Sequence, residues 1–271
     1  MTTNPENRPS GPGFDLPALE DQLASLPGLV VAFSGGVDST ALLAAACDLL
    51  GTERVLAATA DSASMARSEL AEAEALAAEI GVSLSILATE EMQDPRYLVN
   101  QGDRCFWCKE QLFSHAAALA DARGWPLAYG ENADDCADDR PGARSAAQRG
   151  VLAPLRDAGW SKAQVRTYAR HRGLRVAEKP AAPCLSSRIA VGIPVTLDAL
   201  ERIEKLEAAI KLSGYAVVRA RHLGGAEGIL EFEAQDLVRA EGEWSRLRAL
   251  AADFGFLDCS LRAYRSGSVA L

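Results

Sequence analysis

The sequence predicts an α/β fold: a doubly wound parallel sheet followed by a smaller C-terminal α+β unit. Four short apolar runs, at 29–33, 55–60, 82–87 and 127–129, have the length of buried parallel strands. Helical stretches rich in Ala, Leu and Glu separate them, so strands and helices alternate. After about residue 178 the rhythm changes to a helix, two strands, another helix and a last strand.

The first fourteen residues, MTTNPENRPSGPGF, are polar and rich in Pro and Gly, and read as a flexible tail. Apolar spacing over 16–26 predicts a helix. The strand at 29–33 runs into SGGVDS at 34–39 and then a helix to 50, with Gly51 as its C-cap. A strand at 55–60, a helix at 65–80 stopped by Gly81, and a strand at 82–87 repeat the unit. A helix over 105–123 leads to the strand at 127–129. The stretch 130–150 is acidic and has no apolar period, so most of it is expected to be functional loop. Ser161 opens a helix to about 172, and KPAAPCLSSR at 179–188 then breaks the pattern with two prolines. Thr196 is the expected N-cap of a helix to about 212. Strands are expected at 215–221, 228–233 and 254–259, with a helix over 235–251. The domain boundaries this implies are a tail over 1–14, a first domain over 15–178 and a second over 179–271.

With 48% hydrophobic and 24% charged residues in 271, the chain can bury a sizeable core and is neither disordered nor collagen-like. A net charge of -9 argues against non-specific nucleic-acid binding. No apolar run approaches the roughly 20 residues that span a bilayer, and the N-terminal residues lack a signal-peptide pattern. A cytoplasmic protein with no membrane partner is expected. Its six cysteines, at 47, 105, 108, 136, 184 and 259, are then thiols, ligands or reactants rather than a disulfide framework.

SGGVDS joins a buried strand to a helix. Gly35 and Gly36 allow a tight turn and let backbone N–H groups approach an anion, and the helix presents its positive end there. Ser34 and Ser39 add hydroxyls, Val37 is counted with the loop as a nucleotide-binding residue, and the helix is expected from Thr40. No GK[ST] follows, so this is not a Walker A loop, and it is not a GxGxxG fingerprint. Asp38 would repel a bare phosphate, which a magnesium ion between them resolves. The plain alternative is a Gly-rich turn with an N-capping Asp.

This loop resembles the pyrophosphatase loop of N-type ATP pyrophosphatases, a superfamily that includes NAD, GMP and argininosuccinate synthetases and tRNA thiolation enzymes. RCFWCK at 104–109, GENADDCADDRPG at 130–142, APL at 153–155, KPAAPCLSSRI at 179–189 and RAR at 219–221 narrow the resemblance. In this order, over about residues 25–235, they are similar to one branch, the LarE sulfur transferases of lactate racemase nickel-pincer cofactor maturation. The resemblance implies an ATP pyrophosphatase-type sheet, ATP with Mg2+, a small nucleotide-like substrate and a homo-oligomer. The implied reaction adenylylates a carboxylate of pyridinium-3,5-biscarboxylic acid mononucleotide and exchanges its oxygen for sulfur. Other enzymes of the superfamily, a tRNA thiolase or an ammonia-fed synthetase, and a non-catalytic nucleotide sensor are the alternatives.

Adenylylation gives a carboxylate a good leaving group, which a thiolate can displace. Cys184 is the candidate, with Arg188 four residues on and Lys179 five before as cations that would raise its thiolate fraction. Ser186 and Ser187 are hydrogen-bond donors; the alternative is a buried loop cysteine. The family implies two sulfur sources: the cysteine itself, left as dehydroalanine, or a 4Fe–4S cluster on three cysteines. Cys105, Cys108 and Cys184 would be those three, with Cys136 a weaker substitute. An inert pair, a zinc site or a dithiol remain open for the CxxC, and Cys47 and Cys259 read as core.

Gly130, Asn132, Asp134 and Asp135 follow a strand, where parallel sheets bind ligands, and Asp61 and Ser62 end another. They are candidates for ATP or magnesium, or a solvated loop. Arg219 and Arg221 alternate on a strand and, with His222 nearby, are candidates for the substrate phosphate. Family acids match Glu207 and, loosely, Glu231.

Overall fold

The structure is a computed structural model and describes residues 13–137 and 141–265, with backbone alone for 136–137. The expected tail lies, up to residue 12, outside the described residues. In chain order the elements are α1 (Leu16–Leu23), β1 (Leu29–Ala32), α2 (Val37–Leu50), β2 (Val55–Asp61), α3 (Arg67–Ile80) and β3 (Ser83–Ala88). Next come α4 (Pro95–Leu98), α5 (Arg104–Asp121), β4 (Leu127–Tyr129), α6 (Pro141–Gln148), α7 (Pro154–Asp157) and α8 (Lys162–His171). The last are α9 (Leu197–Leu212), β5 (Val218–Gly224), β6 (Glu227–Phe232), α10 (Ala234–Gly242), α11 (Trp244–Asp253) and β7 (Asp258–Ala263).

The chain divides into two compact units, the first built from residues up to Asp61, Arg67–Thr89 and Cys108–Ala182. Its sheet has the order β3-β2-β1-β4, and every pairing is parallel. Central β1 is fully buried, which is why it reads as an unbroken apolar run rather than an alternating one. Val30 and Ala32 pack with Leu56, Phe113 and Ala116 in a core that α5 and α6 supply from one face. Burial of each such Val, Leu or Phe side chain is worth about 1.5–3 kcal/mol. Helix α2 is buried nearly all round, and its run of small Ala residues lets neighbours approach closely. The sequence moves outward from β1 to β2 and β3 on one side and to β4 on the other. The β1 and β4 ends therefore form the switch point where α/β sheets take ligands.

Residues 62–66, 90–107 and those from Pro183 on form the second unit. Two upstream stretches thus join the C-terminal chain, which a boundary drawn at 178–179 does not anticipate. Its sheet has the order β5-β6-β7, with β5 antiparallel and β7 parallel to β6. Gly224 and Gly225, both at positive φ, close the β5–β6 hairpin, and α10 and α11 make the crossover to β7.

Besides shifts of two or three residues at element ends, such as β5 at Val218 rather than 215, three local expectations differ from the structure. The acidic stretch 130–150 contains α6, whose Ser145 and Ala146 are buried, because one inward-facing turn needs too few apolar residues to register as a period. The helix expected over 235–251 is two, broken at Glu243, whose carboxylate takes Arg239 and Arg246. The last strand starts at Asp258, because residues 254–256 form the C-terminal turn of α11 around Gly255 at φ 82°.

Candidate active site

In the first unit, SGGVDS turns from β1 into α2 at the switch point of the sheet order. Gly35 sits at φ 69°, and a side chain there would press on the backbone of Ala73 in α3. The serines expected as donors stitch the loop to itself. Ser39 Oγ accepts from the Ser34 N–H at 3.2 Å and donates to the Gly36 carbonyl at 3.1 Å. Gly36 caps α2 without a side-chain bond, so the first N–H groups of the helix have no side-chain cap. A β-carbon on Gly130 would lie 2.6 Å from the Ser39 nitrogen, so the end of β4 runs directly against this turn.

Asp38, in the first turn of α2, meets two partners. Lys162 Nζ donates to Oδ2 at 2.5 Å and Asn132 Nδ2 to Oδ1 at 3.2 Å. Asn132 also donates to Asp135 Oδ2 at 2.9 Å, and the Lys162 N–H donates to Asp134 Oδ2 at 2.8 Å. Ser34, Gly35, Gly36, Val37, Asp38, Ser39, Gly130, Asn132 and Asp135 thus share one locus. Lys162 belongs with them, and sequence reasoning missed it. Its only sequence signal is its place just inside the α8 N-terminus, after Ser161 and its capping box with Gln164. Asp61 ends β2, exposed and bonded to Arg67 at 2.6 Å. Ser62 is buried in the second unit, bonded to Ser64 at 2.8 Å and to Glu91.

Cys184 opens the turn Leu185–Arg188 in the second unit, half-buried, with its Sγ 3.2 Å from Ser186 Oγ. The Leu185 N–H donates to the Ser64 carbonyl at 2.7 Å. Arg188 is buried and forks onto Glu207 at 2.9 and 3.1 Å, while Nη1 donates to the Cys184 carbonyl at 3.1 Å and to the Pro183 carbonyl. It therefore holds the backbone of the cysteine and commits its charge to Glu207. Lys179 Nζ is clamped in the first unit by Glu69 at 2.6 Å and Glu72 at 2.7 Å. Burial opposes the Lys179 ammonium, yet those two bonds hold its pKa above the usual lysine range.

Arg221 donates from Nε to Glu231 at 2.8 Å and from Nη1 to the Ser187 carbonyl at 2.8 Å. Arg219 is buried one pair along the same strand, its pKa lowered first by burial and then by the Arg188 charge. The acids Glu207 and Glu231 are both taken up by arginines. His222 is buried against Phe256, its imidazole pKa lowered by burial and by Arg202.

The RCFWCK segment begins α5. Arg104 is buried and donates to Asn100 Oδ1 at 2.6 Å; Asn100 in turn donates to the carbonyls of Ala190 and Ile193. Cys105 is exposed and Cys108 half-buried. Among the described residues no three His, Cys, Asp or Glu side chains form a group able to hold a metal ion. The structure thus gives no support to a 4Fe–4S cluster on Cys105, Cys108 and Cys184, and the side chain of Cys136 lies outside the described residues. Cys47 and Cys259 are core, and burial pushes their thiols up to about 12 and about 11.

The chain is 35% identical over 266 residues to an uncharacterised protein of Synechocystis, covering 93% of this chain and 95% of that one. It is 30% identical over 200 residues to the pyridinium-3,5-bisthiocarboxylic acid mononucleotide synthase of Lactiplantibacillus plantarum, covering 73% of this chain and 72% of that enzyme. The chain belongs to the LarE family. An uncharacterised protein of Methanocaldococcus jannaschii matches at 23% identity, over 88% of this chain and 91% of its own length. No family model matches. The four-stranded parallel sheet flanked by helices and the separate mixed sheet are the α/β architecture that the LarE resemblance implies. No helix among the described residues of this LarE-family chain is long and apolar enough to cross a membrane.

Proposed function

We propose that the protein is an ATP-dependent sulfur transferase that converts pyridinium-3,5-biscarboxylic acid mononucleotide to the thiocarboxylate in nickel-pincer cofactor biosynthesis. The observation that carries this is Cys184: a half-buried thiol beside Ser186, at the head of a turn whose backbone is held by a buried Arg188–Glu207 pair. Arg188 donates to the Cys184 carbonyl from that pair, which fixes the backbone that carries the thiol.

ATP enters as a substrate. The uncapped start of α2 suits its phosphates, and the close passage of Gly130 keeps side chains out of that space. Magnesium commonly takes one or two protein carboxylates and completes its shell with phosphate oxygens and water. Asp38 is the carboxylate that fits, and Lys162 is the cation for the phosphates or the departing pyrophosphate. Magnesium would neutralise phosphate charge at this locus.

The substrate carboxylate attacks the α-phosphorus of ATP and expels pyrophosphate, giving an acyl adenylate. The Cys184 thiolate then attacks the acyl carbon and AMP leaves, so substrate and protein are joined as a thioester. Loss of the Cys184 α-proton with cleavage of its Cβ–S bond releases the thiocarboxylate and leaves dehydroalanine. Arg219 and Arg221 are the cations for the substrate phosphate. A cytoplasmic setting and self-association belong to the same proposal.

Intact-protein mass after a single turnover tests it. Protein about 34 Da lighter, with one AMP and one pyrophosphate per thiocarboxylate, is the expected result. Sulfur transfer at unchanged protein mass would refute Cys184 as the donor.

A further inference from the structure

Glu231 has no exposure to solvent. A buried carboxylate is tolerated only when both oxygens are engaged. One oxygen takes Arg221 Nε at 2.8 Å, and the other takes Arg262 Nε and Nη2 at 2.8 and 2.6 Å. The sheet register sets this up: Glu231 stands directly opposite Arg262 on β7 and Arg219 on β5, in one row across three strands. Arg221 uses its other arm to hold the Ser187 carbonyl at 2.8 Å, and the Ser187 N–H donates to the Cys184 carbonyl at 2.9 Å.

We propose that Arg262 is a positioning residue for Cys184, acting through Glu231, Arg221 and the Ser187 carbonyl. It deepens the function proposed above and rests on Cys184 being the reacting thiol. Arg262 is one-third exposed, whereas Glu231 and Arg221 are buried, so the relay meets water at Arg262. Without it, the outer oxygen of Glu231 would lose both donors and the carboxylate would turn toward the fork of Arg221. Arg221 could then no longer serve Glu231 and Ser187 in one geometry. The turn that carries Cys184 would keep the Arg188 tie to the Cys184 carbonyl and lose the Arg221 tie. Glu207 and Glu231, the two acids matched to the family from the sequence, thereby play parallel parts, since each orients an arginine that grips the backbone of the sulfur turn.

The test is the alkylation rate of Cys184 by iodoacetamide, read by peptide mass mapping on the full chain, with buried Cys47 and Cys259 as internal reporters of an intact fold. In Arg262→Ala the Cys184 rate is expected to rise about threefold or more as the turn opens locally, while Cys47 and Cys259 stay protected. Arg262→Lys, which restores one donor, is expected to bring the rate back toward the parent. A smaller rise, no rise or a fall in Arg262→Ala with the other two thiols protected overturns the proposal. If Arg262→Ala exposes Cys47 and Cys259, a milder Arg262→Gln is judged by the same criterion. Iodoacetamide needs no substrate, so a parent protein that transfers no sulfur refutes the proposed function and leaves this test standing.

Discussion

Replacing Gly130 by Ala adds a single carbon where the end of β4 meets the start of α2. That carbon would lie 2.6 Å from the Ser39 nitrogen, 2.7 Å from its Cα and 2.8 Å from the Asp38 carbonyl carbon. All three are backbone atoms, so no side chain can rotate away, and ordinary contact requires a displacement of about 0.8 Å. Gly130 does not occupy a positive φ, so the effect is steric rather than conformational. Overpacking of this kind costs about 1–3 kcal/mol of stability. The larger effect falls on catalysis, because the displaced atoms belong to the residues that would meet the phosphates. A misplacement of about 1 Å in such a site costs on the order of 100-fold in rate. The control is Gly36→Ala, whose added carbon meets only Ser34 Oγ at 3.4 Å and should leave stability nearly unchanged. Urea unfolding gives the stability difference, and substrate-dependent pyrophosphate release gives the rate. A Gly130→Ala protein with parental stability and pyrophosphate release would show that the two segments do not meet as described.

Lys162→Met should lower pyrophosphate release by about 100-fold. It should change stability by less than about 1 kcal/mol, because its pair with Asp38 is partly exposed; a purely structural lysine would reverse that order. Cys184→Ser should still form the acyl adenylate, seen as one burst of pyrophosphate, and yield no thiocarboxylate; loss of the burst in a folded variant would make Cys184 structural. Glu207→Gln leaves the Arg188 guanidinium buried without its carboxylate and should cost about 3–5 kcal/mol in urea unfolding, a loss below about 1 kcal/mol refuting the buried pair. The lowered pKa of His222 means the unfolded chain binds its proton more readily. Its contribution is therefore present above about pH 6.5 and lost as pH falls through the lower folded value. His222→Gln should flatten that acid limb in thermal melts between about pH 7.5 and 5, and an unaltered pH dependence would remove His222 as its source.

Local chemistry determined much of this protein from the sequence alone. The unbroken apolar run at 29–33 suits a strand buried on both faces, and SGGVDS after it places a Gly-rich turn at a helix start, because both depend on neighbours along the chain. The KPAAPCLSSR segment likewise announces an irregular turn carrying a cysteine. Charge partners were another matter. Lys179 and Arg188 lie within five residues of Cys184 in sequence, yet each is consumed by a carboxylate from a distant element, Glu69 and Glu72 for one and Glu207 for the other. Lys162 reaches Asp38 across 124 positions, and Arg262 reaches Glu231 through strand register. An ion pair is decided by which side chains the fold brings within about 4 Å, and sequence spacing constrains that distance only within one helix or strand. Tertiary structure alone therefore decided which charges hold the glycine turn and the Cys184 turn in place.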